Sequence, residues 1–316
     1  MSRSGLRIAF GGTPDFAAEH LKVLIDEGFD ICVVYTQPDR AAGRGKKLTA
    51  SPVKELALKH GIPVEQPANF KNSEDVEQFR SYKPDLFAVV AYGVLLPESI
   101  LKIPQKGCIN VHGSLLPKYR GAAPIQRAVY DGEVTTGITI MRMDKGLDTG
   151  DAILTKQCVI SSDDTSGSLF EKLASIGPLA LIEAIDSVEA GTASYTPQNH
   201  ELATYAKKLS KEESPIDFKQ PSRVIDCRIR ALSPWPLATV SANGTENIKV
   251  HAACVGAGRP EAEPGTVLSA GKDGIEIATA DGSVILKELQ LPGKKRAPAG
   301  DIVNGHKDLF IPGEKL

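Results

Sequence analysis

The residues best suited to chemistry sit in Cys108-Ile-Asn-Val-His-Gly-Ser-Leu-Leu-Pro117. An apolar strand ends there in Asn110 and His112. Two positions apart on a strand, their side chains point the same way. They fall at the carboxyl end of a strand in an open α/β sheet, where such sheets bind ligands. Gly113 and Pro117 turn the chain away and leave the pair accessible. A third group, Asp148, lies in the glycine-rich acidic stretch Met143-Asp-Lys-Gly-Leu-Asp-Thr-Gly-Asp151, which joins two strands. If that loop folds over the same strand ends, Asp148 meets His112, orients the imidazole and favours its charged form. On spacing alone other readings stay open. A histidine at a strand end is commonly a satisfied structural residue, and an acidic loop can equally hold a cation or nothing.

The elements that must position these groups alternate strand and helix. Strands are expected at 7–10, 31–36, 62–64, 86–91, 108–111, 134–143 and 152–160. Helices are expected at 15–27, 51–60, 73–81, 124–130 and 166–189, the last stopped by Ala190-Gly191. Ser51-Pro52 has the residues of a helix start. Runs such as Leu86–Ala91 are apolar throughout rather than alternating, so they are buried on both faces of a mostly parallel sheet. The reading is an α/β, doubly wound, Rossmann-like domain over 1–190. A mostly polar linker follows over 191–209. From 210 to 316 a helix near 222–232 precedes short strands at 238–241, 248–253, 265–269, 274–278 and 284–291. Asn243-Gly244, Asp273-Gly274 and Asp281-Gly282 separate them. That spacing predicts a smaller, OB-like β-barrel.

Composition narrows the classes. A chain of 316 residues suggests two domains. No apolar run approaches the roughly 20 residues that cross a bilayer, and the N-terminus lacks the pattern of a signal peptide. A cytoplasmic, monomeric protein is expected. The five cysteines are scattered and form no Cys-x-x-Cys pair, and the six histidines show no ligand spacing, so no metal is expected. Gly11-Gly12-Thr-Pro-Asp15 is neither a dinucleotide fingerprint nor a P-loop. Net charge is −2, but it is uneven: from Lys207 onward 16 Lys and Arg meet 14 Asp and Glu. A nucleic-acid partner would therefore need local basic patches.

The segment Asn110-Val-His-Gly-Ser-Leu-Leu-Pro-Lys-Tyr-Arg-Gly-Ala-Ala-Pro-Ile125 resembles the folate-dependent formyltransferases. The likeness is closest to those that act on methionyl-tRNA. It extends through Phe10-Gly-Gly-Thr-Pro-Asp-Phe-Ala17, Thr36-Gln-Pro-Asp-Arg40, Gly43-Arg-Gly-Lys-Lys47 and Val89-Val-Ala-Tyr-Gly93. It continues in Gly146-Leu-Asp-Thr-Gly-Asp151, Lys208-Leu-Ser-Lys-Glu-Glu213 and Pro234-Trp-Pro236, nearly the whole chain. Gly11 stands where many members have Ala, and Tyr119 where a Trp is also seen. The resemblance implies 10-formyltetrahydrofolate as donor and an amine that attacks its formyl carbon. Asn110 and a protonated His112 would then steady the developing oxyanion, with Asp148 keeping His112 charged. It also implies a folate site bordered by Ser114, Leu115, Leu116 and Pro117, with Val90, Tyr92, Gly93 and Leu95 lining the pterin pocket.

The acceptor it implies is initiator methionyl-tRNA. The stretch 37–48 carries Arg40, Arg44, Lys46 and Lys47 among Gly and Ala, a mobile basic composition suited to a nucleic-acid end. Arg44 is the residue singled out for the acceptor stem. Lys208 near the linker and Lys294, Lys295 and Arg296 in the second domain would add phosphate contacts that position without specifying sequence. Two alternatives remain: a transformylase acting on an aminosugar nucleotide or purine intermediate, and a catalytically silent tRNA-binding protein.

Overall fold

The computed structural model describes residues 3–42, 47–258 and 261–316. The chain divides into two units, residues 1–124, 135–159 and 170–206 in one and residues 125–134, 160–169 and 207–316 in the other. In chain order the elements begin β1 (Arg7–Gly12), α1 (Asp15–Asp26), β2 (Asp30–Tyr35), β3 (Arg40–Ala42), β4 (Lys47–Thr49), α2 (Pro52–Lys59) and β5 (Val64–Glu65). Next come α3 (Ser73–Ser81), β6 (Leu86–Val90), α4 (Glu98–Leu101), β7 (Cys108–His112), β8 (Arg120–Gly121) and α5 (Pro124–Tyr130). Then follow β9 (Thr135–Arg142), β10 (Ala152–Val159), α6 (Ser166–Ala190) and β11 (Tyr205–Ala206).

The first unit is built on a seven-stranded sheet of order β10-β9-β7-β6-β1-β2-β5. Strands β5, β2, β1, β6 and β7 run parallel; β9 pairs antiparallel with β7, and β10 pairs antiparallel with β9. All five residues of β6 are buried, as its unbroken apolar sequence requires. Edge strand β10 instead alternates exposed and half-buried residues. On one sheet face Tyr35, Phe70, Phe79 and Phe87 form an aromatic cluster, with ring centroids 5.0 Å apart for Phe79–Phe87 and 5.3 Å for Tyr35–Phe79. Helix starts follow local chemistry. The Ser51 hydroxyl accepts from the Lys54 N–H at 3.1 Å before α2, and Asn72 caps α3 through the Glu74 N–H.

Helix α1 buries Phe16, Ala17, His20, Leu21 and Leu24. His20 is fully buried; Nδ1 donates to the Phe16 carbonyl at 2.7 Å, and among the described residues Nε2 has no hydrogen-bond partner. A Cβ on Gly177 of α6 would lie 2.4 Å from that nitrogen, so only glycine lets the imidazole sit there. Burial pushes the His20 pKa down from 6.5 to about 4.

The linker stretch 191–206 is fastened to this unit. Thr196 bridges Ala152, and β11 pairs in parallel with β8. The expected loop 37–48 is a hairpin at its base, where Arg40 pairs with Thr49 and Ala41 with Leu48.

The second unit adds α7 (Ser222–Ala231), β12 (Ala238–Ala242), β13 (Thr245–Gly256), β14 (Val267–Gly271), β15 (Gly274–Ala278), β16 (Ser283–Gln290), β17 (Ala297–Pro298) and α8 (Ala299–Gly305). Its strands are antiparallel, in the order β12-β13-β16-β15-β14, with β17 on β16. Ile225 and Ile229 of α7 and Ile302 of α8 join Val250, Ile277, Leu286 and Leu289 of the strands in one core. The outer edges of β12 and β14 are covered by bridges from Pro215 and Lys315, which blunts edge pairing with other chains.

His20 yields a stability prediction. Its folded-state pKa lies below its unfolded one, so the unfolded chain binds the extra proton between pH 6.5 and about 4. The contribution is complete above pH 6.5 and is lost as pH falls towards 4, by about 3 kcal/mol. In urea unfolding at pH 7 and pH 4.5, His20→Met should show a shallower loss of stability on acidification than the wild type. An equal loss in both would contradict this account.

Candidate active site

The site is assembled at the carboxyl end of β7. Its neighbours are fixed by register: Val89 of β6 lies beside Asn110, and Met141 and Thr139 of β9 lie beside Asn110 and His112. Asn110 is half-buried, and among the described residues its carboxamide has no hydrogen-bond partner. Its N–H groups are free to donate outward.

His112 is 5% exposed. Its Nε2 lies 2.9 Å from the Tyr119 carbonyl. A carbonyl only accepts, so Nε2 carries the proton and the neutral ring presents a bare Nδ1. That Nδ1 lies 3.7 Å from Asp148 Oδ2, too long for a hydrogen bond and close enough for strong charge coupling. The structure therefore brings all three expected residues of this group onto one unit, and it corrects one expectation. Asp148 does raise the His112 pKa, but burial lowers it more, and the nearby Arg120 charge lowers it further. The imidazole rests neutral rather than charged.

Asp148 sits at φ +52°, a left-handed conformation rare for residues with a side chain. The loop is shaped locally by Asp144, whose Oδ1 accepts from the Gly146 N–H at 2.9 Å and the Thr149 hydroxyl at 2.7 Å. Gly150 is required sterically, because a Cβ there would lie 1.8 Å from the Arg142 carbonyl oxygen. Asp148 Oδ2 accepts from the Gly121 N–H at 2.8 Å, which aims the carboxylate.

The loop after His112 is pinned to β9. The Thr139 hydroxyl donates to the Ser114 carbonyl at 2.7 Å and accepts from the Leu116 N–H at 3.1 Å. Ser114 is fully buried and its hydroxyl donates to the Lys118 carbonyl at 2.6 Å, so its side chain serves the turn. Leu115, Leu116 and Pro117 are half-buried. At the end of β6, Val90 and Tyr92 are packed in the core, and the Tyr92 hydroxyl is buried without a partner among the described residues. Gly93 is exposed, and Leu95 is 85% exposed beside them. The Tyr92 carbonyl accepts from the Thr13 hydroxyl and the Gln37 amide, both at 3.0 Å.

The basic candidates are spread more widely. The Arg40 guanidinium donates to Gln37 Oε1. Arg44 and Lys46 lie outside the described residues, as does the side chain of Lys47, whose backbone pairs with Ala42. Lys208 is exposed. Lys294, Lys295 and Arg296 are consecutive and exposed, and Arg296 pairs with Glu288. Among the described residues no cluster of His, Cys, Asp and Glu could hold a metal ion, and no helix is long and apolar enough to cross a membrane.

Sequence reasoning missed Thr139, Arg120 and Gln198. Gln198 donates to the Asp148 and Gly150 carbonyls, and Arg120 holds its amide oxygen. Arg120 was visible only as part of a long motif, and Gln198 lay in a polar stretch with no chemical pattern.

Two family models match, Formyl transferase over residues 6–185 and Formyl transferase, C-terminal domain, over 208–307. The methionyl-tRNA formyltransferase of Idiomarina loihiensis is 48% identical over 315 residues, 98% of this chain and 100% of its own length. Among solved structures, the N-formyltransferase from Helicobacter canadensis in complex with folinic acid and dTDP-3-aminofucose superposes with a TM-score of 0.66 at 21% identity, covering 89% of this chain and 98% of that one. HypX from Aquifex aeolicus, in complex with tetrahydrofolic acid, gives 0.65 at 18% identity over 99% of this chain, which spans 50% of HypX. At such identities the likeness speaks to the fold alone. With both family models matched and a relative at nearly half identity over its full length, the chain belongs to the formyl transferase family.

Proposed function

We propose that the protein transfers the formyl group of 10-formyltetrahydrofolate to the amino group of initiator methionyl-tRNA. The observation that carries the reading is the Asn110–His112 pair at the end of β7 with Asp148 Oδ2 3.7 Å from the imidazole. It is supported by the relative named methionyl-tRNA formyltransferase, which this chain matches over its whole length. The bound folate supplies an electrophilic formyl carbon. At the end of β6 the exposed Gly93 and Leu95 would meet the pterin, with the buried Val90 and Tyr92 packed behind them. Ser114, Leu115, Leu116 and Pro117 would border the ligand through the loop that Thr139 pins.

The chemistry follows from the free atoms. The Asn110 carboxamide donates to the formyl oxygen as negative charge develops there. The bare Nδ1 of His112 takes a proton from the attacking amine, and the carboxylate of Asp148 stabilises the imidazolium so formed. The same proton is then returned to the departing nitrogen. No covalent bond to the protein is needed, since an amine is already a competent nucleophile. Arg40, Arg44, Lys46, Lys47, Lys208, Lys294, Lys295 and Arg296 would meet tRNA phosphates. We further propose a catalytic domain over 1–190, a linker over 191–209, a tRNA-binding domain over 210–316, and a monomer acting in the cytoplasm.

Five outcomes are expected. Asn110→Ala should lower kcat by about 100- to 1000-fold with folate binding retained; wild-type turnover would remove the oxyanion role. The acid limb of kcat/KM should lie below pH 6.5, because a neutral His112 is required and its pKa is depressed. Removing the carboxylate that raises this pKa, in Asp148→Asn, should move the limb lower still while the maximum falls; a limb moving upward would contradict the coupling. In competition between initiator methionyl-tRNA and an aminosugar nucleotide, only the tRNA should be formylated. Lys294→Ala with Lys295→Ala should raise its KM and reduce the salt slope by about one per lost phosphate contact.

A further inference from the structure

We propose that Gln198 is a positioning residue that holds Asp148 in register with His112. The proposal rests on the assignment of Asn110, His112 and Asp148 given above. Asp148 occupies a left-handed backbone conformation, which a residue with a Cβ keeps only where its surroundings hold it. Its carbonyl accepts from Gln198 Nε2 at 2.9 Å, and the same NH2 group donates to the Gly150 carbonyl at 2.7 Å. The amide oxygen of Gln198 accepts from Arg120 Nε at 3.2 Å and from its terminal Nη2 at 2.7 Å. Gln198 is 9% exposed and Arg120 2%. Every polar atom of this carboxamide is thus engaged inside the protein, on both sides of one loop residue.

The ring closes through consecutive residues. The Tyr119 carbonyl fixes His112 Nε2, the Arg120 side chain fixes Gln198, and the Gly121 N–H fixes the Asp148 carboxylate. Gln198 therefore ties the backbone of Asp148 to the short segment that also sets the imidazole. It touches neither reacting nitrogen nor carbonyl carbon, so it acts through Asp148. Only a neutral amide fits both neighbours. A carboxylate in its place would set an oxygen against two carbonyls, and a thioether would leave the Asp148 and Gly150 carbonyls without these donors and reduce the Arg120 guanidinium's contacts to those it keeps elsewhere, such as His200 Nδ1 at 3.0 Å.

The test compares Gln198→Glu and Gln198→Met in wild-type and Asp148→Asn backgrounds. Formyl transfer to methionyl-tRNA is followed in single turnover with enzyme in excess, so that slow variants stay measurable. Gln198→Glu keeps the acceptor for Arg120 and removes both donors to the loop. In the wild-type background it should slow the chemical step on the order of 100-fold, as expected for a misplacement of about 1 Å. KM for either substrate should change by less than about threefold. In the Asp148→Asn background the same substitution should cost less than about twofold, because residues acting as one unit are not additive. An equal loss in both backgrounds, or a loss confined to KM, would overturn the proposal. Should the Met variant unfold, as thermal melting would reveal, the near-isosteric Glu variant decides alone. If Asp148→Asn were itself as fast as wild type, the site assignment would fail, separately from the role of Gln198.

Discussion

His112 gives its Nε2 proton to the Tyr119 carbonyl inside the protein, and its Nδ1 faces Asp148 across 3.7 Å. The chemistry depends on this division of one ring between two partners. The carbonyl commits one nitrogen as a donor and so leaves the other as a base. Burial keeps that base neutral at rest, and the carboxylate lowers the cost of charging it during reaction. Moving the ring into water would weaken the first effect, and removing Asp148 would abolish the second.

The surrounding structure keeps these groups from drifting. Strand β7 is held by main-chain pairing to β6 and β9, so Asn110 and His112 cannot turn to the other sheet face without a register slip that would move every side chain of the strand to the opposite face. The two loops that complete the site have no such ladder and are fastened by side chains instead. Thr139 holds the turn at Ser114 and Leu116, while Gln198 and the Gly121 N–H hold the turn at Asp148. Much of this depends on the short pairing of β8 with β11, which keeps residues 119–121 beside the stretch that carries Gln198.

The second unit solves a different problem. Its antiparallel strands bury one face against α7 and α8 and leave polar turns outside. On that surface Lys294 and Lys295 carry no ion pair among the described residues, whereas Arg296 is engaged by Glu288. A chain with net charge −2 can attract a polyanion only through such local excesses.

Much of the architecture was legible in the residues. The unbroken apolar run at 86–91 marked a central parallel strand because burial on both faces leaves no room for alternation. Ser51-Pro52 marked a helix start through its own hydrogen bond, and Asn110 and His112 shared a face because strand periodicity is two. These properties are local, so sequence decides them. The neutral state of His112 was not legible, since it reflects how much protein lies around the ring and how that outweighs one carboxylate. Nor was Gln198, which meets Asp148 only because a polar segment 50 residues away folds back onto the sheet. Burial and long-range hydrogen bonds depend on where distant parts of the chain come to rest, and that is decided by the tertiary fold.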